Sequence, residues 1–160
     1  MGSGKSSVGR RVADRLRRPF VDTDTRIERQ AGRTVREIFA SDGEDTFRDL
    51  ETSVLVDVLS APNPTVIATG GGIVTRDRNR DLLTTQQVVW LRASIDTLST
   101  RLANGAARRP LLDGDVRGRL VELDRTRRDL YRAVASEIVD VDDRSLDDVV
   151  DDVLTVTGAR

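Results

Sequence analysis

The sequence predicts a single α/β domain, a parallel sheet flanked by helices in three layers. Three observations carry this: a glycine-rich phosphate loop that runs straight into a helix at 2–7, four short β-branched or apolar runs, and amphipathic stretches between them. The 160 residues suit one domain over 1–160, with no repeat or linker to divide it. Apolar residues make up 38% and aromatics only 3%, so the core has to be built from Leu, Val, Ile and Ala.

The first element is the loop itself. Gly4-Lys5-Ser6 closes the pattern G-x-x-x-x-G-K-[ST], in which glycines let successive amides curl round phosphate oxygens. Lys5 then reaches the β/γ-phosphates, and the Ser6 hydroxyl ligates Mg²⁺. Val8, Val12 and Leu16 continue as a helix whose positive N-terminus faces the anion. Lys5 is the single lysine among 26 basic residues, which marks it as a place where a compact ammonium is needed. A flexible Gly/Ser leader is the alternative. The pattern's first glycine falls two positions before Met1, and the strand feeding the loop falls earlier still. The expectation is an internal Met1 within a longer chain; the alternative is a form with a damaged nucleotide site. Arg10, Arg11, Arg15, Arg17 and Arg18 read as a solvated helix face.

A strand over Phe20–Asp22 ends in Asp22-Thr23-Asp24, placing two carboxylates at the carboxyl end where open α/β sheets bind ligands. One suits hydrated Mg²⁺ and the other a substrate hydroxyl, unless Asp24 is merely a helix N-cap. Thr34 and Glu37 form a capping box. In the helix around Glu44–Ser60, Phe47, Leu50, Val54 and Val58 define the buried face, yet Glu51 lies within that arc and Arg48 at its margin. Either the pair is a structural salt bridge, or Glu51 holds the Arg48 fork for a substrate carboxylate.

Ala61–Pro64 is a loop, and the strand Thr65–Thr69 runs into Gly70-Gly71-Gly72, which offers bare amides and close ligand approach or makes a tight turn. Val88–Leu91 is a continuous apolar run, as in a strand covered on both faces. The stretch of about 104–115 reads as a lid carrying Arg108-Arg109-Pro110. Arg127 then falls on the apolar line Val116, Leu120, Leu123, Leu130, Val134, and needs either an internal carboxylate or an anionic ligand. Glu137–Val141 is the fourth strand. Ser145 and Asp148 cap a last helix whose stripe is Leu146, Val149, Val150, Val153 and Leu154.

Composition removes other classes of chemistry. A net charge of -1 exerts no general pull on nucleic acid or anionic lipid, and zero Cys and zero His exclude thiol and imidazole chemistry. No apolar run is long enough to span a membrane. A cytoplasmic domain working with carboxylates, hydroxyls, cations and backbone is expected.

Six motifs in this order make the chain resemble the shikimate kinases: G-S-G-K-S at 2–6, D-T-D at 22–24, F-R-x-x-E at 47–51, G-G-G at 70–72, R-P-L-L at 109–112 and R-x-x-L-Y at 127–131. The resemblance covers the chain from Met1 on. It implies the P-loop kinase fold, with five strands in the family against four visible here, substrate-binding helices at about 25–60, and a lid. The implied reaction is MgATP-dependent phosphorylation of the shikimate 3-hydroxyl, within aromatic amino acid biosynthesis. By the same resemblance, Gly2, Ser3, Gly4, Lys5, Ser6 and Ser7 bind ATP, and Asp22 sits in the Mg²⁺ shell beside Ser6. Asp24 binds the ring hydroxyls and serves as, or orients, the base. Arg48 and Arg127 clamp the carboxylate, with Gly70, Gly71 and Gly72 alongside. Arg109 closes with the lid, Arg144 touches adenine, and Arg101 or Arg108 covers its other face. A monomer acting on small molecules is expected. The alternatives are a kinase for another hydroxy acid, such as gluconate, and a truncated nucleotide-binding form with impaired activity.

Overall fold

The structure, a computed structural model, describes residues 2–104 and 115–158. Helix α1 (Lys5–Leu16) leads to strand β1 (Phe20–Asp22), helices α2 (Thr23–Ala31) and α3 (Val35–Leu59), and strand β2 (Val66–Ala68). A 3₁₀ turn (Ile73–Thr75), α4 (Asp77–Thr84), β3 (Val89–Arg92) and α5 (Ile95–Asn104) follow. Beyond the undescribed stretch come α6 (Val116–Val134), β4 (Glu137–Asp140) and α7 (Leu146–Val156). The four predicted strands form; β1 keeps its bounds, β2 and β4 are shorter than expected, and β3 is shifted by one residue to Val89–Arg92.

Pairing is parallel, as expected, but the strands make two pairs rather than one continuous sheet. β1 lies against β2, Phe20 opposite Val66, and β3 against β4, Val89 opposite Glu137. Between the pairs lies a cavity of about 890 Å³, lined by Val66, Ile67 and Ala68 on one side and Val89, Trp90 and Leu91 on the other. Among the described residues no strand bridges β2 and β3.

Helices pack by the apolar stripes read from sequence. Val8 and Val12 of α1 meet Val139, Val141, Val149, Val150 and Val153, so α1 and α7 cover the same side. Leu146, expected in that stripe, is 37% exposed, because it opens α7 beyond the edge of the core. The arginine-rich face of α1 is partly paired: Arg11 meets Asp147 at 2.6 Å and Arg15 meets Asp151 at 3.5 Å.

α3 serves two clusters, Val54 and Val58 with Ile27 and Ile38 on one side, Leu55 with Ile73, Val74 and Leu83 on the other. It runs from the Thr34/Glu37 capping box through the segment around Glu44–Ser60, which sequence described separately. Gly43, at φ 85 and ψ 173, kinks it before the segment that bears Arg48 and Glu51. The kink separates the short α2–α3 hairpin arm from the buried helix on which the site is built.

Candidate active site

The phosphate loop has the backbone its glycines allow. Gly2 and Gly4 sit at φ 79 and φ 85, left-handed values that side chains rarely adopt, and Gly4 is the N-cap of α1. This turns the first amides of α1 outward beside Lys5, which lines the cavity with Ser3. Ser6 Oγ donates to Asp22 Oδ2 at 2.5 Å, while Asp22 Oδ1 accepts the Thr25 amide at 3.2 Å. Asp22, not Asp24, is therefore the N-cap of α2, and Asp24 is left on the first turn facing the cavity. Ser7 is exposed one residue further along α1.

Helix α3 carries the second half of the constellation. Arg48 Nη1 pairs with Glu51 Oε2 at 2.9 Å, and Arg48 Nη2 with Glu44 Oε1 at 2.8 Å. Glu51 is wholly buried and its other oxygen, Oε1, has no hydrogen-bond partner among the described residues. Burial pushes the Glu51 carboxyl up, against the downward pull of the Arg48 guanidinium. The structural salt bridge that sequence offered is present, with Glu44 as a second carboxylate on Arg48.

The glycine triplet lies between these groups. A side chain on Gly70 would come within 2.6 Å of Glu51 Oε1 and 2.8 Å of Asp24 Oδ1, and one on Gly72 would occupy the place of the Arg48 guanidinium. Gly70 and Gly72 thus leave room for the carboxylates of Glu51 and Asp24 and for the Arg48 guanidinium. The Gly70 amide donates to Thr23 Oγ1 at 3.1 Å. From α6, Arg127 Nη1 donates to the Gly71 carbonyl at 3.2 Å, and the Tyr131 hydroxyl donates to the same oxygen. Arg127 forms no ion pair within salt-bridge distance among the described residues, although its charge is felt by the buried Glu51 carboxyl.

Lys5, Asp24, Arg48, Gly70, Gly71, Gly72 and Arg127 thus share one cavity. Arg101 and Arg144 flank another, of about 660 Å³, with Ser94 and Asp142. Arg101 donates to the carbonyls of Val141 at 3.0 Å and Gly2 at 3.4 Å, which ties this second hollow to the phosphate loop. Arg144 is held by Asp152. Arg108 and Arg109, with most of the predicted lid, lie outside the described residues.

Sequence reasoning missed Thr23, Glu44 and the contact of Tyr131. Glu44 sits i, i+4 from Arg48 and was open to detection by that spacing. Thr23 and Tyr131 bind backbone atoms far along the chain, a relation no local pattern displays.

Comparison with known proteins bears on this geometry. The family model described as shikimate kinase matches residues 1–157. The shikimate kinase of Symbiobacterium thermophilum is 49% identical over 157 residues, covering 96% of this chain and 90% of that relative. The shikimate kinase of Rhodococcus jostii is 40% identical over 90% of this chain and 85% of its own. Among solved structures, the shikimate kinase of Acinetobacter baumannii, in complex with shikimate, superposes with a TM-score of 0.92 at 35% identity, covering 99% of this chain and 89% of that one. That of Bacteroides thetaiotaomicron gives 0.92 at 30%, covering 99% and 94%. The chain belongs to the shikimate kinase family and is a phosphotransferase of the P-loop fold.

Proposed function

We propose, with that membership as premise, that this chain transfers the γ-phosphoryl group of ATP to the 3-hydroxyl of shikimate, releasing ADP and shikimate 3-phosphate. The observation that carries the reading is the convergence of Arg48 and Arg127, from separate helices, on the glycine triplet beside Asp24, in the cavity that Lys5 also lines. Two guanidiniums and bare amides suit a carboxylate, and a carboxylate on a hydroxylated ring presents its alcohol to a nearby acid group.

The site's own residues do the following. Amides at the start of α1 and the Lys5 ammonium hold the β- and γ-phosphate oxygens and draw charge toward the leaving group. Arg48, held rigid by Glu51 and Glu44, takes the ring carboxylate, and Arg127 turns from the Gly71 carbonyl to join it. Asp24 accepts the proton of the 3-hydroxyl as its oxygen bonds to phosphorus and the bond to the ADP oxygen breaks. Arg109 closes on the phosphates and excludes water, and Arg101 and Arg144 flank the adenine.

Ser6 and Asp22, hard oxygen donors joined by a hydrogen bond at 2.5 Å, are the residues that would hold magnesium, Asp22 through water. When bound, it supplies further neutralisation of phosphate charge. No helix among the described residues is long and apolar enough to cross a membrane. A monomer acting on small molecules in the cytoplasm completes the proposal.

Release of ADP, followed by a coupled assay with shikimate and gluconate as acceptors, tests the reading. Turnover with shikimate well above that with gluconate is expected. Equal turnover would remove the substrate assignment while leaving the phosphotransferase.

A further inference from the structure

We propose that Tyr131 is a positioning residue for the carboxylate clamp, acting through the Gly71 carbonyl oxygen that it shares with Arg127. The inference rests on the reading above, that Arg127 leaves this oxygen to take a substrate carboxylate.

Arg127 and Tyr131 are one helical turn apart on α6 and project on the same face. Both donate to the Gly71 carbonyl, whose two lone pairs accommodate two donors. With substrate present, Arg127 gives up its bond. A part-buried carbonyl that lost its one donor would resist that exchange, whereas one still held by a phenol does not. Tyr131 therefore lowers the barrier to Arg127 changing partners.

It also fixes the floor on which both guanidiniums rest. The Gly71–Gly72 peptide is trans, so orienting its carbonyl toward α6 sets the plane of the whole unit. The Arg48 guanidinium lies where a Gly72 side chain would be. Hence one hydroxyl orients the peptide against which Arg48 packs and to which Arg127 bonds. The ring itself is anchored, its centroid 5.6 Å from that of Trp90 on β3. Burial pushes the Tyr131 phenol up, so it remains a donor throughout the working pH range.

The test compares Tyr131→Phe with wild type on shikimate and on its methyl ester, which lacks the anion that draws Arg127 away. The variant keeps the ring and loses only the donor. Expected is an increase of about tenfold in the KM and Kd for shikimate, about one neutral hydrogen bond's worth, with kcat and the ATP KM within about twofold. Affinity for the ester should be unchanged. An unchanged shikimate KM, or equal losses for acid and ester, would overturn the proposal.

A second measurement needs no substitution. Tyr131 is the only tyrosine, so 3-fluorotyrosine incorporated throughout the chain labels this site alone. Its ¹⁹F resonance is expected to shift on adding shikimate and not on adding the ester; an unmoved resonance with bound shikimate contradicts the role. Failure of the underlying kinase reading is distinguishable, because it appears in the wild-type turnover assay whatever Tyr131 does.

Discussion

Arg48 and Glu51 form an ion pair at 2.9 Å in which the Glu51 side chain is completely enclosed and the Arg48 side chain only 9% exposed. One face of the pair belongs to the α3 core and the other to the cavity. Desolvating two charges offsets much of their attraction, so the pair's value lies in fixing where the Arg48 fork points.

The sign of its pH dependence follows. Burial holds the folded-state pKa of Glu51 above the value of about 4.3 of an unfolded glutamate. Its contribution to stability is therefore present below that value and is lost as pH rises through the folded one. Replacing Glu51 by Gln removes the titration. The Tm of E51Q minus that of wild type should increase across this window and then level off. A difference that falls instead would mean that attraction to Arg48 outweighs burial.

Gly72 has φ -91 and ψ -6, a conformation open to any residue, so Gly72→Ala strains no backbone. Its added methyl meets the Arg48 guanidinium instead. The shikimate KM should rise at least tenfold with the ATP KM unchanged, an outcome that initial-rate kinetics reads directly. Equal kinetics in both substrates would place Arg48 outside the clamp.

Lys5→Arg keeps the charge but replaces a compact ammonium by a wider planar group in the phosphate loop. A loss of about 10²-fold or more in kcat is expected at unchanged Tm. Near-normal turnover would contradict the assigned role of Lys5.

Asp22→Asn separates metal binding from helix capping, since Asn still accepts the Thr25 amide bond while the negative charge beside Ser6 is gone. The Mg²⁺ concentration for half-maximal rate should rise about tenfold, with little change in Tm. An unaltered Mg²⁺ requirement would exclude Asp22 from the metal's surroundings.

What was legible in the sequence follows a physical division. Gly4, Lys5 and Ser6 are consecutive, so their chemistry is local and visible. Arg48, Glu51 and Arg127 announced themselves as charges within apolar helical stripes. Thr23 and Tyr131 did not, because their partners are main-chain atoms of Gly70 and Gly71, 47 and 60 residues away. The pairing of β1 with β2 and of β3 with β4 was not legible either, since short apolar runs specify strands but not which edges meet. Leu146 kept the right period yet lies past the end of the core it was expected to cover.

Arg127 is the most direct point of attack. It sits in an apolar stripe of α6, lacks an ion pair among the described residues, and leaves its carbonyl acceptor held by Tyr131 when removed. Calorimetric titration of Arg127→Leu with shikimate, alongside its melting temperature, should give affinity reduced by at least about 10²-fold at an unchanged or raised Tm. Wild-type affinity in a folded variant would contradict the two-guanidinium clamp, and collapse of the fold would make Arg127 a structural residue.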